Sequence, residues 1–70
     1  MQALSAMKPG DVCTIKWMFG IPEVLDFLHA RHIEEGCTVR VIQRLSGGLI
    51  LGAGRVRIAL CDSIADRIKV

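Results

Sequence analysis

The sequence predicts a small, mainly β domain, folded as a closed five-stranded barrel with one short helix between the first and second strands. Short runs of alternating polar and apolar residues predict the strands. Apolar residues at helical spacing after Pro22 predict the helix, and glycines between the later runs are typical of tight turns. A closed barrel is favoured over an open sheet because closure leaves no exposed strand edge.

The length and composition favour one folded binding or regulatory module. The chain has 70 residues, which suits a single domain spanning 1–70. Its hydrophobic fraction of 51% and net charge of +2 are those of a folded chain. A core this small leaves little room for an active-site pocket. No catalytic triad, phosphate-binding loop or catalytic carboxylate pair can be assembled, so we expect neither an enzyme nor a cofactor.

The sequence lacks the signals that would direct it to or through a membrane. No run approaches the about twenty apolar residues that cross a bilayer, and residues 1–7 lack the parts of a signal peptide. Cys13, Cys37 and Cys61 form an odd set without a CxxC pair, as expected of thiols in a reducing compartment. We therefore expect a cytoplasmic protein without direct membrane insertion.

The arginines are spread along the predicted strands. Nucleic-acid binders carry a clustered stripe of Lys and Arg. Here the basic residues alternate with strand residues, as on a solvated sheet face; they are Arg40, Arg44, Arg55, Arg57 and Arg67. We expect no nucleic-acid partner.

The N-terminal part predicts a leader and a first strand. Leu4 and Met7 form one apolar side of a helical turn that Pro9 and Gly10 stop, so the leader is expected to cover one end of the barrel. Residues 11–17 alternate and predict the first strand. Its apolar face would carry Cys13, Ile15 and Trp17.

The predicted helix begins at Pro22 and runs to about Arg31. Proline suits the first helical position because its missing N–H would be unpaired there. Its buried stripe is Val24, Leu25 and Leu28. His29, Arg31 and His32 gather near the C-terminal end, where the helix dipole favours cations.

The second half of the sequence predicts four more strands. They span 37–44, 49–51, 55–61 and 67–70. Val39 and Val41 face inward in the second strand, and alternate apolar residues face inward again in the fourth. Asp62 is expected to cap a short helical turn ending at Ala65. This order of elements is that of an SH3-like barrel.

The order and spacing of these segments also match a known family. The matching residues are Leu4, Met7, Lys8, Pro9 and Gly10 in the leader, Ile15, Leu28, then Ile33 to Gly36 with Val39 and Val41, and finally Arg57 to Leu60, Ala65 and Ile68. Over nearly the whole chain they resemble the ferrous-iron transport protein A (FeoA) family. Three positions depart from it: His32 replaces the helix-ending glycine, Phe27 an arginine, and Arg31 a Leu or Met.

The resemblance implies a small cytoplasmic accessory protein of ferrous iron uptake. It would bind the membrane iron permease FeoB, which carries a GTPase domain, and act by protein contact. An alternative of another class stays open. The same SH3-like fold is appended to iron-dependent repressors of the diphtheria-toxin-repressor type, so a stand-alone regulatory module of a metal-sensing system is the second hypothesis.

Two histidines are a candidate metal site, and three cysteines are further residues able to bind a metal. His29 and His32 lie three apart on one helix, a spacing that can present two imidazoles to a transition metal ion. The simpler interpretation is a helix end that favours cations. The three cysteines are interpreted as structural, because scattered buried thiols are common.

The run from Trp17 to Ile21 is the candidate partner-binding surface. It places Trp17, Met18, Phe19 and Ile21 where a strand gives way to a loop. Exposed aromatic and Met side chains are favoured anchors at protein interfaces, either with a partner or in a homo-oligomer. The alternative is that Trp17 and Phe19 fold over the barrel and enlarge its core by packing on Val24 or Leu28.

Overall fold

The computed structural model describes residues 1–70 and contains six strands, two helices and a 3₁₀ turn. The strands are β1 (Val12–Thr14), β2 (Trp17–Met18), β3 (Thr38–Leu45), β4 (Gly48–Ala53), β5 (Val56–Cys61) and β6 (Ile68–Lys69). The helices are α1 (Pro22–His29) and α2 (Asp62–Ala65), and the 3₁₀ turn is Leu4–Ala6. The prediction of a mainly β domain with a short helix after the first strand is confirmed.

The strands form two antiparallel sheets and number six, where the sequence predicted five. One sheet has the order β1-β3-β4-β5, and the other pairs β2 with β6. No ladder joins β5 to β6; α2 lies between them along the chain. The predicted strand count is wrong because the first strand, expected over 11–17, contributes to both sheets.

The chain changes sheets at Ile15 and Lys16. The amide of Ile15 donates to the carbonyl of Cys37 at 2.9 Å, beside β3. The next amide, that of Lys16, donates to the carbonyl of Lys69 at 2.8 Å, beside β6. One extended segment is thus hydrogen-bonded first to one sheet and then to the other, which brings the two sheets around a common core.

Helix α1 begins and packs as its sequence predicts. Pro22 stands at its first turn and Glu23 adds a carboxylate near the positive end of the dipole. Leu28 is fully buried, and Val24 and Leu25 pack against the core from the same side. The predicted buried stripe is confirmed. The helix ends at His29, two residues earlier than expected, and continues as a turn to His32.

Strand β3 carries a bulge that the alternating pattern does not reveal. Val41 pairs with Leu51 and Gln43 with Ile50, which leaves Ile42 as the extra residue. Val39 and Val41 are buried as predicted. Beyond the bulge the inward and outward positions of the strand are exchanged. Arg44 therefore pairs with Leu49 and lies on the face of the sheet that carries the buried Leu49 side chain.

The core is wholly apolar. Its buried members are Leu4, Ile15, Met18, Leu28, Ile33, Val39, Val41, Leu49, Leu51, Ala53, Leu60, Ala65 and Ile68. They come from the leader, both sheets and both helices. Burial of this kind is the main favourable contribution to folding in so small a chain.

The leader covers the core as expected and is paired with the far end of the chain. Leu4 is fully buried. Gln2 and Val70 exchange two backbone hydrogen bonds of 3.0 and 2.8 Å. The guanidinium of Arg44 donates to the carbonyl of Ser5 at 2.8 Å, and the Ser5 hydroxyl contacts Asp66. The leader is therefore hydrogen-bonded on both sides of its buried leucine.

Asp62 does not cap α2 as predicted. The helix begins at Asp62 itself, the residue before it is Cys61, and no side chain donates to or accepts from the first turn as a cap. The carboxylate instead faces Arg44 at 3.6 Å. The predicted helical turn through Ala65 is confirmed, and its capping residue is wrong by one position.

Candidate functional site

The short two-stranded sheet decides which apolar residues of the 17–21 run are exposed. Trp17 pairs with Lys69 and Met18 with Ile68. Neighbouring residues in a strand face opposite sides. Because Met18 is buried, with 6% of its surface exposed, Trp17 faces solvent, with 49% of its surface exposed. The predicted phase, with Trp17 on the same face as Ile15, is wrong because the chain changes sheets between them.

Three side chains of this run form an exposed apolar surface, called here the aromatic surface: Trp17, Phe19 and Ile21. Phe19 is 40% exposed and Ile21 is 55% exposed. The rings of Trp17 and Phe19 stack on each other with centroids 4.9 Å apart and planes inclined by 31°. Because both rings stay half exposed, they are not the extra core that the alternative interpretation required. Met18 belongs to the core and not to this surface.

Backbone hydrogen bonds hold the aromatic surface in place. The amide of Phe19 donates to the carbonyl of Arg67 at 3.1 Å, which extends the pairing beyond β2. Ile21 immediately precedes Pro22, and its carbonyl accepts from Leu25 at 3.2 Å in the first turn of α1. The backbone that carries this surface is therefore fixed by a strand and by the start of a helix.

A positive charge borders the aromatic surface. The Nζ atom of Lys69 lies 5.8 Å from the centroid of the Phe19 ring and donates to the carbonyl of Asp66 at 2.9 Å. An ammonium at this distance from a ring face is weakly attracted to it. The Arg67 side chain also lies beside Gly20, so the surface combines two aromatic rings and a branched aliphatic side chain with cations at its border.

The two histidines lie on the surface at the end of α1. His29 is the last residue of the helix and His32 follows in the turn; both are exposed. The structure brings no group of three or more His, Cys, Asp and Glu side chains into a metal-binding arrangement. His32 has a positive φ of 62°, which shows that it stands where the chain leaves the helix. The metal site stays a prediction.

The three cysteines differ in environment. Cys13 and Cys37 are partly buried and pack against the core, as structural thiols would. Burial, with the nearby Asp11 carboxylate, raises the pKa of Cys13. Cys61 is exposed, so the expectation of a buried thiol is wrong there. Hydrogen bonds from the Ser63 hydroxyl, 3.1 Å away, and from the Ile64 amide lower the pKa of Cys61.

A concave feature lies on the outer face of the four-stranded sheet. It is an open groove of about 560 Å³. Its lining includes Val12, Arg40, Ile42, Gly52 and Arg57. From the sequence, both arginines are expected on a solvated face, and no local pattern relates one to the other. The missed signal was Gly52, since a glycine inside a strand often marks a close approach.

The chain resembles a known protein family along nearly its whole length. A family model described as the FeoA domain matches residues 2–70. No curated protein matches the sequence significantly. No helix reaches the length and apolar character needed to cross a bilayer.

Solved structures share the fold. A crystal structure of an iron uptake regulatory protein (FeoA) superposes with a TM-score of 0.83 at 28% identity, covering 94% of this chain and 89% of that one. Iron(II) transport protein A from Clostridium thermocellum gives 0.85 at 22%, covering 97% and 43%. A manganese-dependent transcriptional repressor gives 0.83 at 21%, covering 96% and 39%. The last two likenesses show a common SH3-like fold.

Proposed function

Because the chain belongs to the FeoA domain family, which has a role in ferrous iron transport, we propose that it is an accessory protein of that transport and binds a FeoB-type membrane iron permease. It acts by protein contact; the family is one of small SH3-like proteins and is not a known enzyme family. We place it in the cytoplasm, where its three free cysteines would stay reduced.

The aromatic surface is the observation that carries this proposal. Trp17, Phe19 and Ile21 leave large apolar areas in water, each at least 40% exposed. Aromatic side chains held rigid before binding lose little conformational entropy in an interface, and they dominate binding energy in many complexes. We therefore assign partner binding to these three residues, with Met18 supporting them from the core.

The second candidate is a regulatory module of a metal-sensing system. It is favoured by the superposition on a manganese-dependent transcriptional repressor, of which this chain spans 39%. In that case the partner would be a soluble metal-responsive protein, and it would bind to the same aromatic surface. The two candidates differ in the partner and can be separated by identifying it.

The first test is capture of the partner by the tagged chain from detergent-solubilised membranes and from the soluble fraction of its source, with and without ferrous iron. Retained proteins are identified by mass spectrometry. We expect the iron permease in the membrane fraction. Recovery of a metal-responsive regulator from the soluble fraction instead would support the second candidate and contradict the first.

Variants of the chain locate the contact. The double variant Trp17→Ser with Phe19→Ser should lose capture while keeping the folded spectrum. Leu45→Ser is the matched control, because Leu45 is 39% exposed, close to the 40% of Phe19, and lies in the other sheet. Equal loss of capture in both variants, or in neither, would contradict the assignment of the aromatic surface.

A further inference from the structure

Two arginines face each other across a glycine on the outer face of the four-stranded sheet. The register aligns Val12 with Arg40, Arg40 with Gly52, and Gly52 with Arg57. These four residues form one row across β1, β3, β4 and β5. Two strand spacings separate the arginine Cα atoms, which places them about 10 Å apart.

Both arginines point away from the core and have no acidic partner. Arg40 lies between the buried Val39 and Val41, and both arginine side chains are exposed. The single ion pair of the structure, Arg44 with Asp62, lies elsewhere. Neither Arg40 nor Arg57 donates a side-chain hydrogen bond, whereas Arg31 and Arg44 each donate to a backbone carbonyl. Their guanidinium groups are available to a ligand.

The floor between the arginines is apolar. The bulge in β3 turns Ile42 over Gly52, so closely that a Cβ atom at residue 52 would meet the Cδ1 of Ile42 at 2.9 Å. Val12 extends the apolar floor toward β1 and is 57% exposed. Because Gly52 has no side chain, Ile42 can lie over β4 at this point and form the apolar floor between the two arginines.

We propose that this groove binds an extended acidic peptide segment of a partner protein, with two carboxylates three positions apart and apolar residues between them. In a polyproline II conformation, residues three apart lie on the same edge about 9 Å apart. This matches the about 10 Å between the arginine Cα atoms. Each guanidinium can bind a carboxylate through two parallel hydrogen bonds. The apolar side chains cover Ile42 and Val12.

Other ligands fit the groove less well. A nucleic acid would call for a longer stripe of cations than two arginines. A free phosphate would use the charges and leave the apolar floor in water. An uncharged apolar segment would cover the floor and bury two guanidinium groups without partners, which is unfavourable. The acidic peptide satisfies the charges and the floor together. The proposal does not depend on the identity of the partner bound by the aromatic surface.

The test uses the intact chain, labelled with ¹⁵N, and a capped hexapeptide of sequence Gly-Glu-Leu-Leu-Glu-Gly. We expect amide shifts centred on Arg40, Gly52 and Arg57, together with the arginine Nε–H signals. Binding should weaken as NaCl rises to about 0.5 M, where the Debye length falls below about 5 Å. The double variant Arg40→Gln with Arg57→Gln should lose at least about tenfold in affinity.

The controls keep the proposal falsifiable. Arg55→Gln is the matched variant, because Arg55 is exposed in the β4–β5 turn and does not line the groove; its affinity should stay unchanged. The same peptide with Gln in place of Glu should not bind. Equal binding of both peptides, shifts at Trp17 and Phe19 instead, tighter binding of an oligonucleotide in the groove, or no shifts at millimolar peptide would each overturn the proposal. A negative result with the peptide would not contradict the proposed binding of the permease, which the capture experiment tests separately.

Discussion

The amide of Ile33 donates to the carbonyl of Leu28 at 2.9 Å, and both side chains are fully buried. The amide of His32 donates in the same turn to the carbonyl of His29 at 2.9 Å. These two bonds and the apolar contact have the form of a Schellman motif, which commonly places glycine in the left-handed position. Here His32 holds that position, with a φ of 62°.

Replacing His32 by glycine should stabilise the domain. A left-handed conformation costs a residue with a Cβ about 1–2 kcal/mol, and the greater entropy of glycine in the unfolded chain offsets about 0.5–1 kcal/mol of the gain. We expect His32→Gly to raise the free energy of unfolding by about 0.5–1 kcal/mol in urea titrations. His29→Gly, at the last residue of the helix, should instead lower the free energy of unfolding, by up to about 1 kcal/mol. A destabilised His32→Gly would contradict this account of the helix end.

Truncation of the two neighbours Trp17 and Met18 should destabilise the domain to different degrees. Met18 is buried, so Met18→Ala should lower the free energy of unfolding by about 2–5 kcal/mol. Trp17→Ser loses mainly the stacking on Phe19 and should cost no more than about 1.5 kcal/mol. Thermal unfolding of both variants checks this. A larger loss of unfolding free energy for Trp17→Ser would indicate that Trp17 contributes to the core.

The exposed Cys61 should be the most readily alkylated thiol. The thiolate is the reactive form, and the lowered pKa of Cys61 means that its reaction rate rises and levels off at a lower pH than that of Cys13, whose pKa is raised. Iodoacetamide labelling between pH 6 and pH 10, read by peptide mass spectrometry, measures both profiles. Ser63→Ala removes the hydroxyl hydrogen bond and should move the Cys61 profile to higher pH. Identical profiles for Cys13 and Cys61 would refute the difference.

Two glycines of β4 should differ in their tolerance of alanine. A Cβ at Gly48 would clash with the backbone carbonyl of Leu60, which cannot move without breaking the pairing with β5. We expect Gly48→Ala to cost about 2–3 kcal/mol, as overpacking does. At Gly52 the obstacle is the flexible end of Ile42, and the effect should stay within about 1 kcal/mol. Urea unfolding of both variants, under the same conditions, tests the order.

Local patterns were sufficient for much of the fold. Pro22 and the spacing of Val24, Leu25 and Leu28 predicted α1 and its buried face. The inward positions of Val39 and Val41 followed from simple alternation. These elements were predictable because each is determined by residues within one or two turns or a single strand.

The candidate site was only partly predictable. The run at 17–19 is apolar at every position, so alternation cannot decide whether Trp17 or Met18 faces the core. Pairing with Lys69 and Ile68, about fifty residues away, decides it. The alignment of Arg40 with Arg57 likewise depends on two strand registers, and the bulge at Ile42 interrupts one of them. Long-range pairing therefore determined what local patterns left open.

The pairing of Gln2 with Val70 has a consequence for how this fold can be used. Two ends that lie side by side can be joined by a short linker, so a circular permutant opened at the exposed Ser46–Gly47 turn should fold to the same structure. For the same reason the whole unit can be spliced into a surface loop of a larger protein without pulling that loop apart. Because its two ends are adjacent, the domain can be inserted into different host proteins.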